Sequence, residues 1–366
     1  MTERKRPERI PFSLNDGERW WRDRYDMLKE HGYQLRPRYH PEWKPSWTAK
    51  QLPGVREDSY VTYHPKVIDA IRLSDGMRVS IKKLRKGSKE LEIARYLDSE
   101  ELRKDPRNIT VPLLDVFREE EDTMEFMVMP LLKSFDDPSF SSVDEVIDFM
   151  KQTLQGLSFM HSKGVAHRDC SVLNIMMDAR KLFPRDFHPT SSCFDASGKN
   201  LARPRRRRDV TSIKYYFIDF GISSRFDDAT EPRLVTGEDC QDKQLPEIYQ
   251  DKPYDPFPVD IFILGNLFKH SLVELYENLE FLAPLANRMT EKDPASRPTI
   301  DEALSHFGEL VKEQSPRSLR RLLVWQDADK VERFLFDMGS SKREAAFVIK
   351  SSLRRFTRSS LSYFRF

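Results

Sequence analysis

The run His167-Arg-Asp-Cys-Ser-Val-Leu-Asn174, followed forty-five residues later by Asp219-Phe-Gly221, constrains this chain more than any other feature. It sets a carboxylate, a carboxamide and a second carboxylate in fixed order, and a strand-like Tyr215-Tyr-Phe-Ile218 leads into the last of them. A three-residue match such as D-F-G is common in ordinary loops, so the weight lies in the order of the two motifs.

H-R-D-x-x-x-x-N and D-F-G are the catalytic-loop and metal-binding motifs of the eukaryotic protein kinases, and the chain resembles that family over roughly residues 60 to 312. The resemblance implies an α+β, bilobal fold with a small antiparallel β lobe and a larger, mainly helical lobe. It implies ATP and Mg²⁺ as cofactors, Asp169 orienting the acceptor hydroxyl, and Asn174 and Asp219 holding metal.

Val79-Ser-Ile-Lys82 follows a turn at Ser74-Asp-Gly76 and alternates like a strand. Lys82 then takes the role of the lysine that pairs with the α/β-phosphates. Lys83 is its rival, but alternation puts Ser80 and Lys82 on one face and Val79 and Ile81 on the other. Its carboxylate partner comes from the helix Glu90-Leu-Glu-Ile-Ala-Arg-Tyr-Leu97, where Glu90 shares a face with Ile93 and Leu97 and is preferred to Glu92. Phe126-Met-Val-Met-Pro130 reads as a buried strand, and the resemblance implies that its end is the hinge that receives adenine, with Met129 as gatekeeper and Leu131 and Leu132 as hinge. Ser142-Val-Asp-Glu145 reads as a capping box opening a helix with Val146, Met150, Leu154 and Leu157 on its apolar face.

Downstream, Leu245-Pro-Glu247 resembles the A-P-E end of an activation segment, Asp260 opens an apolar helix, and Arg297 lies in Asp293-Pro-Ala-Ser-Arg-Pro298. The resemblance implies a buried Glu247–Arg297 pair and an Asp260 that bonds the backbone under the catalytic loop. These elements favour a protein substrate over a small-molecule phosphotransferase; a serine or threonine hydroxyl is expected before tyrosine.

Three departures stand against an ordinary kinase. No glycine lies between Gly54 and Gly76, so the glycine-rich loop is missing and Asp58-Ser-Tyr-Val-Thr-Tyr-His-Pro65 stands in its place. Ser171 stands where serine/threonine kinases carry a lysine, and Thr236 to Glu247 lacks the T-x-x-Y-x-A-P-E form. An ATP-dependent protein kinase is the preferred reading; an inactive or weak pseudokinase scaffold that binds nucleotide is the alternative. Arg168 implies a phosphorylated activation segment, with Thr236 as a candidate site and Ser223, Ser224 and Thr230 as others.

At 366 residues the chain exceeds one such domain and should hold a two-lobed core plus extensions. We divide it into a Trp/Arg/Pro-rich extension (1–58), small lobe (59–130), large lobe (131–313) with a long basic insertion at about 179–213, and basic C-terminal tail (314–366). A net charge of +2 argues against a globally basic nucleic-acid binder. Three scattered cysteines point to a reducing compartment without structural zinc. No signal peptide or transmembrane run is evident, so cytoplasm or nucleus is expected.

Gly32-Tyr-Gln-Leu-Arg-Pro-Arg-Tyr39 and Pro41-Glu-Trp-Lys-Pro-Ser-Trp47 resemble segments of divergent fungal kinase-like proteins. The tryptophans around them are expected to pack on the small lobe rather than stack on nucleic-acid bases. Arg203-Pro-Arg-Arg-Arg-Arg208 reads as a solvated, flexible loop that suits a localisation signal or an acidic partner. Phe347, Ile349, Leu353 and Phe356 form a helical stripe in the tail. It suits docking on the chain's own large lobe first, and a partner groove or acidic membrane surface second.

Overall fold

The structure is a computed structural model. It describes residues 13–48, 56–62, 64–119, 123–210, 212–227, 232–237, 240–250 and 252–362, with side chains as far as 346. The chain gathers into two compact units, one from 1–105, 110–135 and 176–221, the other from 106–109, 136–175 and 222–366.

The first unit opens with two short helices, α1 (Asp16–Arg22) and α2 (Tyr25–Glu30). Asn15 and Glu18 start α1 with a reciprocal capping box, each side chain accepting the other's backbone N–H at 2.8 and 3.0 Å. An antiparallel sheet follows, made of β1 (Tyr33–Leu35), β2 (Val67–Arg72), β3 (Arg78–Arg85), β4 (Asp115–Arg118) and β5 (Met124–Pro130), in the order β1-β2-β3-β5-β4. Asp75 and Gly76 make the β2–β3 turn: the Asp75 carboxylate accepts Met77 N–H at 3.0 Å, and Gly76 takes φ +72°. Helix α3 (Lys89–Leu97) follows β3.

Alternation divides the sheet into two faces. Ile68, Ala70, Val79, Ile81, Phe126 and Val128 are buried on one, in a core shared with Trp21, Tyr25 and Leu28. The N-terminal helices therefore form a second layer over the sheet, and Trp21, 1% exposed, sits edge-on to Phe126. The sheet begins at Tyr33, inside the span read as an extension, because Tyr33 to Leu35 pair with Arg72 to Ala70 along an otherwise open edge. The described parts 36–48 and 56–62 of the β1–β2 connection are tied down by two charge clusters. Arg38 and Glu18, both buried, form a bidentate pair at 2.6 and 3.1 Å. Asp58 accepts hydrogen bonds from Trp43 Nε1, Ser46 N and Ser46 Oγ.

The insertion at 179–213 corrects the expectation of a solvated, flexible loop. Leu182, Phe183 and Phe187 are buried, and Lys133 lies 5.0 Å from the Phe183 ring centroid. Arg207, inside the basic run, is 4% exposed and donates to Tyr215 Oη at 2.9 Å and the Phe135 carbonyl at 2.6 Å. A buried guanidinium with carbonyl and phenol acceptors avoids the desolvation cost that would otherwise keep it in water. Arg203, Arg205, Arg206 and Arg208 remain exposed. The insertion also meets the β1–β2 connection: Tyr60 donates to the Gly198 carbonyl at 3.0 Å and its ring lies 4.4 Å from that of His188. The strand β6 (Lys133–Ser134) pairs with Ile175–Met177, which in turn neighbours Tyr215–Phe217.

The second unit is helical: α4 (Val143–Ser162), α5 (Pro256–Phe268), α6 (Ala283–Met289), α7 (Ile300–Lys312), α8 (Pro316–Leu319) and α9 (Lys330–Ser362). The expected α4 face holds, with Val146, Met150, Leu154 and Leu157 all fully buried. The expected capping box does not form. Glu145 reaches back to Ser141, accepting its N–H at 2.7 Å, while the Ser142 hydroxyl turns to Asp144. Ser142 is itself buried in a bridge to Leu322, and the Glu145 N–H is taken by the Ser142 carbonyl at 3.2 Å instead of by its hydroxyl. Helix α5 is buried on nearly every side, in keeping with its apolar sequence. Helix α9 docks on its own unit through Arg343–Asp144 and Glu344–Arg320 pairs at 2.7 Å; the stripe Phe347 to Phe356 lies outside the described side chains. Among the described residues no helix is long and apolar enough to cross a membrane.

Candidate active site

The residues singled out in sequence fall in both units, and each unit holds its own set. In the first, β3 and α3 bring Lys82 to Glu90, with Nζ 2.5 Å from Oε1, both nearly buried. The same ammonium donates to Asp219 Oδ1 at 3.0 Å. Lys83 points to the other face of β3, and Glu92 is exposed, so neither rival joins this cluster. Burial raises the Glu90 pKa and Lys82 opposes it, with a net shift upward. Asp219 is held at φ +61°, a costly backbone state for a non-glycine residue that places its carboxylate toward Lys82. Gly221 makes room for it, since a Cβ there would stand 3.0 Å from Asp219 Oδ1.

The strand β5 pairs Met129 with Ser80, which puts Met129 on the Lys82 face of the sheet. Leu131 then donates its N–H to the Arg78 carbonyl at 3.2 Å, and Leu132 is buried. One prominent feature of this face escaped sequence reading. Asp69 pairs with Ser80 across β2 and β3, and so shares the Lys82 face. Arg36 Nε lies 3.0 and 3.1 Å from its two oxygens, and the other guanidinium nitrogens reach Tyr60 O, Thr62 Oγ1 and Tyr39 Oη. The available signal was an aspartate inside the apolar run Val67-Ile-Asp-Ala-Ile71. His64, from the same connection, has its pKa lowered by burial and then by the Lys82 charge.

In the second unit, Asp169 and Asn174 meet. Asn174 Nδ2 donates to Asp169 Oδ2 at 2.7 Å and to its carbonyl at 2.8 Å. Beneath them Asp260, fully buried on α5, accepts the backbone N–H groups of His167 and Arg168 at 2.8 and 2.6 Å. That carboxylate fixes the loop from which Asp169 projects. Burial raises the Asp169 pKa, and hydrogen bonds from Gln241 and Asn174 offset only part of the rise. Cys170, fully buried beside Asp260 and Asp169, has its thiol pKa pushed well up, which suppresses thiolate chemistry. Arg168 donates to the carbonyls of Ile222 and Thr236 at 3.0 and 2.9 Å. Glu247 and Arg297 form the buried bidentate pair, at 2.5 and 3.0 Å.

The donor set can be compared with what Mg²⁺ needs. The Asn174 amide nitrogen is committed to Asp169, and its oxygen accepts no hydrogen bond among the described residues. Asp219 offers a carboxylate that is 44% exposed. No group of three or more His, Cys, Asp or Glu that could hold a metal occurs among the described residues. Mg²⁺ bound through one or two protein oxygens plus nucleotide phosphates does not require one.

The protein kinase domain family matches residues 64–276, more than half of the chain. The chain belongs to the protein kinase family, with its α+β, two-lobed fold and, at the family level, its phosphotransferase character.

Proposed function

We propose that this chain is a protein kinase that moves the γ-phosphoryl group of ATP to a serine or threonine hydroxyl of a protein. The observation that carries the reading is Lys82 held by Glu90 and reaching Asp219, together with the Asp169–Asn174 pair, since a scaffold that only binds nucleotide has no need to keep a base. Lys82 would bind the α/β-phosphates, Met129, Leu131 and Leu132 would flank adenine, and Asp219 with Asn174 would hold Mg²⁺. The metal, when bound, neutralises charge on the phosphate oxygens. Asp169 orients the acceptor hydroxyl; its oxygen attacks the γ-phosphorus, the bond to the β-phosphate oxygen breaks, ADP leaves, and the proton passes through Asp169 to solvent. The Glu247–Arg297 pair and Asp260 support a protein acceptor over a small molecule.

The test is transfer of label from γ-labelled Mg-ATP to the protein itself and to generic acceptors, with Asp169→Asn and Asp219→Asn alongside. Label from wild type alone supports the reading, and phosphoamino-acid analysis reads the hydroxyl class. Undiminished label from Asp219→Asn would sink it. A second reading, a nucleotide-binding scaffold without turnover, is favoured by the absence of any glycine between Gly54 and Gly76, where an active kinase has the loop that grips the phosphates. It expects no label from any variant.

A further inference from the structure

Ser171 leaves Asp169 without the lysine that accompanies the base in serine/threonine kinases. The group that meets Asp169 instead comes from the activation segment. Gln241 donates its backbone N–H to Asp169 Oδ1 at 2.9 Å and its side-chain Nε2 to Oδ2 at 2.8 Å. The carboxylate only accepts, so the amide must present its nitrogen. Two carboxylate oxygens offer about four lone-pair positions. Gln241 and Asn174 together fill both on Oδ2, whereas Oδ1 accepts one bond among the described residues. A plug over the base would close both oxygens; this arrangement locks one and leaves a position open on the other.

Gln241 is itself held. Its neighbour Asp242 accepts from Asn266 Nδ2 at 2.7 Å, and Cys240 on its other side is buried. Asn266 lies on α5, the helix whose Asp260 also fixes the backbone at His167 and Arg168. One buried helix thus sets both the loop that carries the base and the segment that grips it, which is how a constellation is kept within the tolerance that chemistry needs.

We propose that Gln241 is a positioning residue for Asp169, turning the carboxylate so that Oδ1 receives the acceptor hydroxyl. This rests on the phosphotransferase reading above. Unlike a lysine, the amide contributes orientation without charge.

The experiment compares full-length wild type, Gln241→Ala and Gln241→Asn in steady-state transfer from Mg-ATP, with kcat resolved from KM across pH. The carboxyl ¹³C resonance of Asp169 is recorded in the same proteins at one fixed pH, where it reports the hydrogen bonds that the carboxylate accepts, a readout that needs no turnover. Gln241→Ala is expected to lower kcat about tenfold or more, as loss of a hydrogen bond to a charged group does, with KM for Mg-ATP unchanged. The Asp169 carboxyl resonance should shift, because Oδ2 has lost one of the two hydrogen bonds it accepts. Gln241→Asn keeps an amide and should recover part of both effects, which separates positioning from a general loss of fold. An unchanged kcat in Gln241→Ala overturns the proposal, and a rise in kcat overturns it in favour of a plug. Wild type that transfers no phosphate defeats the phosphotransferase reading, while an Asp169 resonance that Gln241→Ala leaves in place defeats the Gln241 contact itself.

Discussion

Lys83 holds its ammonium 3.6 Å from the centroid of the Trp20 ring, on the opposite side of β3 from the Lys82–Glu90 pair. Adjacent lysines thus have separate tasks, one toward the proposed phosphates and one toward the N-terminal helix. Lys82→Met is expected to remove ATP-dependent transfer with the fold intact. Lys83→Met should keep transfer and lower unfolding free energy by about 0.5–1 kcal/mol, the scale of a partly exposed cation–π contact. Paired label-transfer assays and urea titrations check both.

The Glu18–Arg38 pair is almost wholly removed from solvent. Taking one partner away leaves the other charge buried and unpaired, at a cost of about 3–5 kcal/mol. Glu18→Ala also deletes half of the α1 capping box. Its denaturation midpoint should fall accordingly, and Glu18→Ala with Arg38→Met should recover much of the loss.

Gly198 has φ +68°, and a Cβ there would stand 2.7 Å from the Tyr60 ring and 3.3 Å from the Glu57 Cα. Gly198→Ala therefore combines a left-handed backbone with a collision. A loss of at least about 1–2 kcal/mol is expected from the backbone alone. Hydrogen exchange should show faster opening at residues 57–60; unchanged protection there would contradict the packing of the insertion on the β1–β2 connection.

Asp169 titrates above the usual value of 3.8. In its proposed role as base it works ionised, so the acid limb of kcat should have its midpoint above 3.8, with activity rising as pH increases through it. Stability moves oppositely. The folded chain binds this proton more tightly than the unfolded chain, so the contribution is full below the unfolded pKa and is lost as pH rises through the folded one. A pH series of kcat and of thermal melting, each with Asp169→Asn as reference, tests both signs.

What could be read in the sequence was local. Lys82 followed from alternation, and its rival Lys83 was separable because a strand sends neighbours to opposite faces. Asp260, Glu247 and Arg297 were readable through family motifs, and α4 through its apolar period. Strand β1 was not readable: three residues give no periodicity, and its pairing with Arg72, Ile71 and Ala70 is fixed by tertiary packing. Arg207 was misjudged because a run of like charges says nothing about a carbonyl at Phe135 waiting to receive one of them. Gln241 escaped because its partner is remote in sequence and its residue type differs from the lysine sought beside the base.

The N-terminal layer sets a practical limit on dissection. A fragment trimmed to the matched span, 64–276, would begin just before β2 and discard Trp21, Tyr25, Leu28 and all of β1. Strand β2 would become a bare edge, and Ile68, Ala70 and Ile81 would lose the aromatic cover on their side of the sheet. Such an edge invites pairing with other chains. Recombinant protein should therefore start ahead of Leu14, and a shorter version is expected in the insoluble fraction even with every residue of the proposed site present.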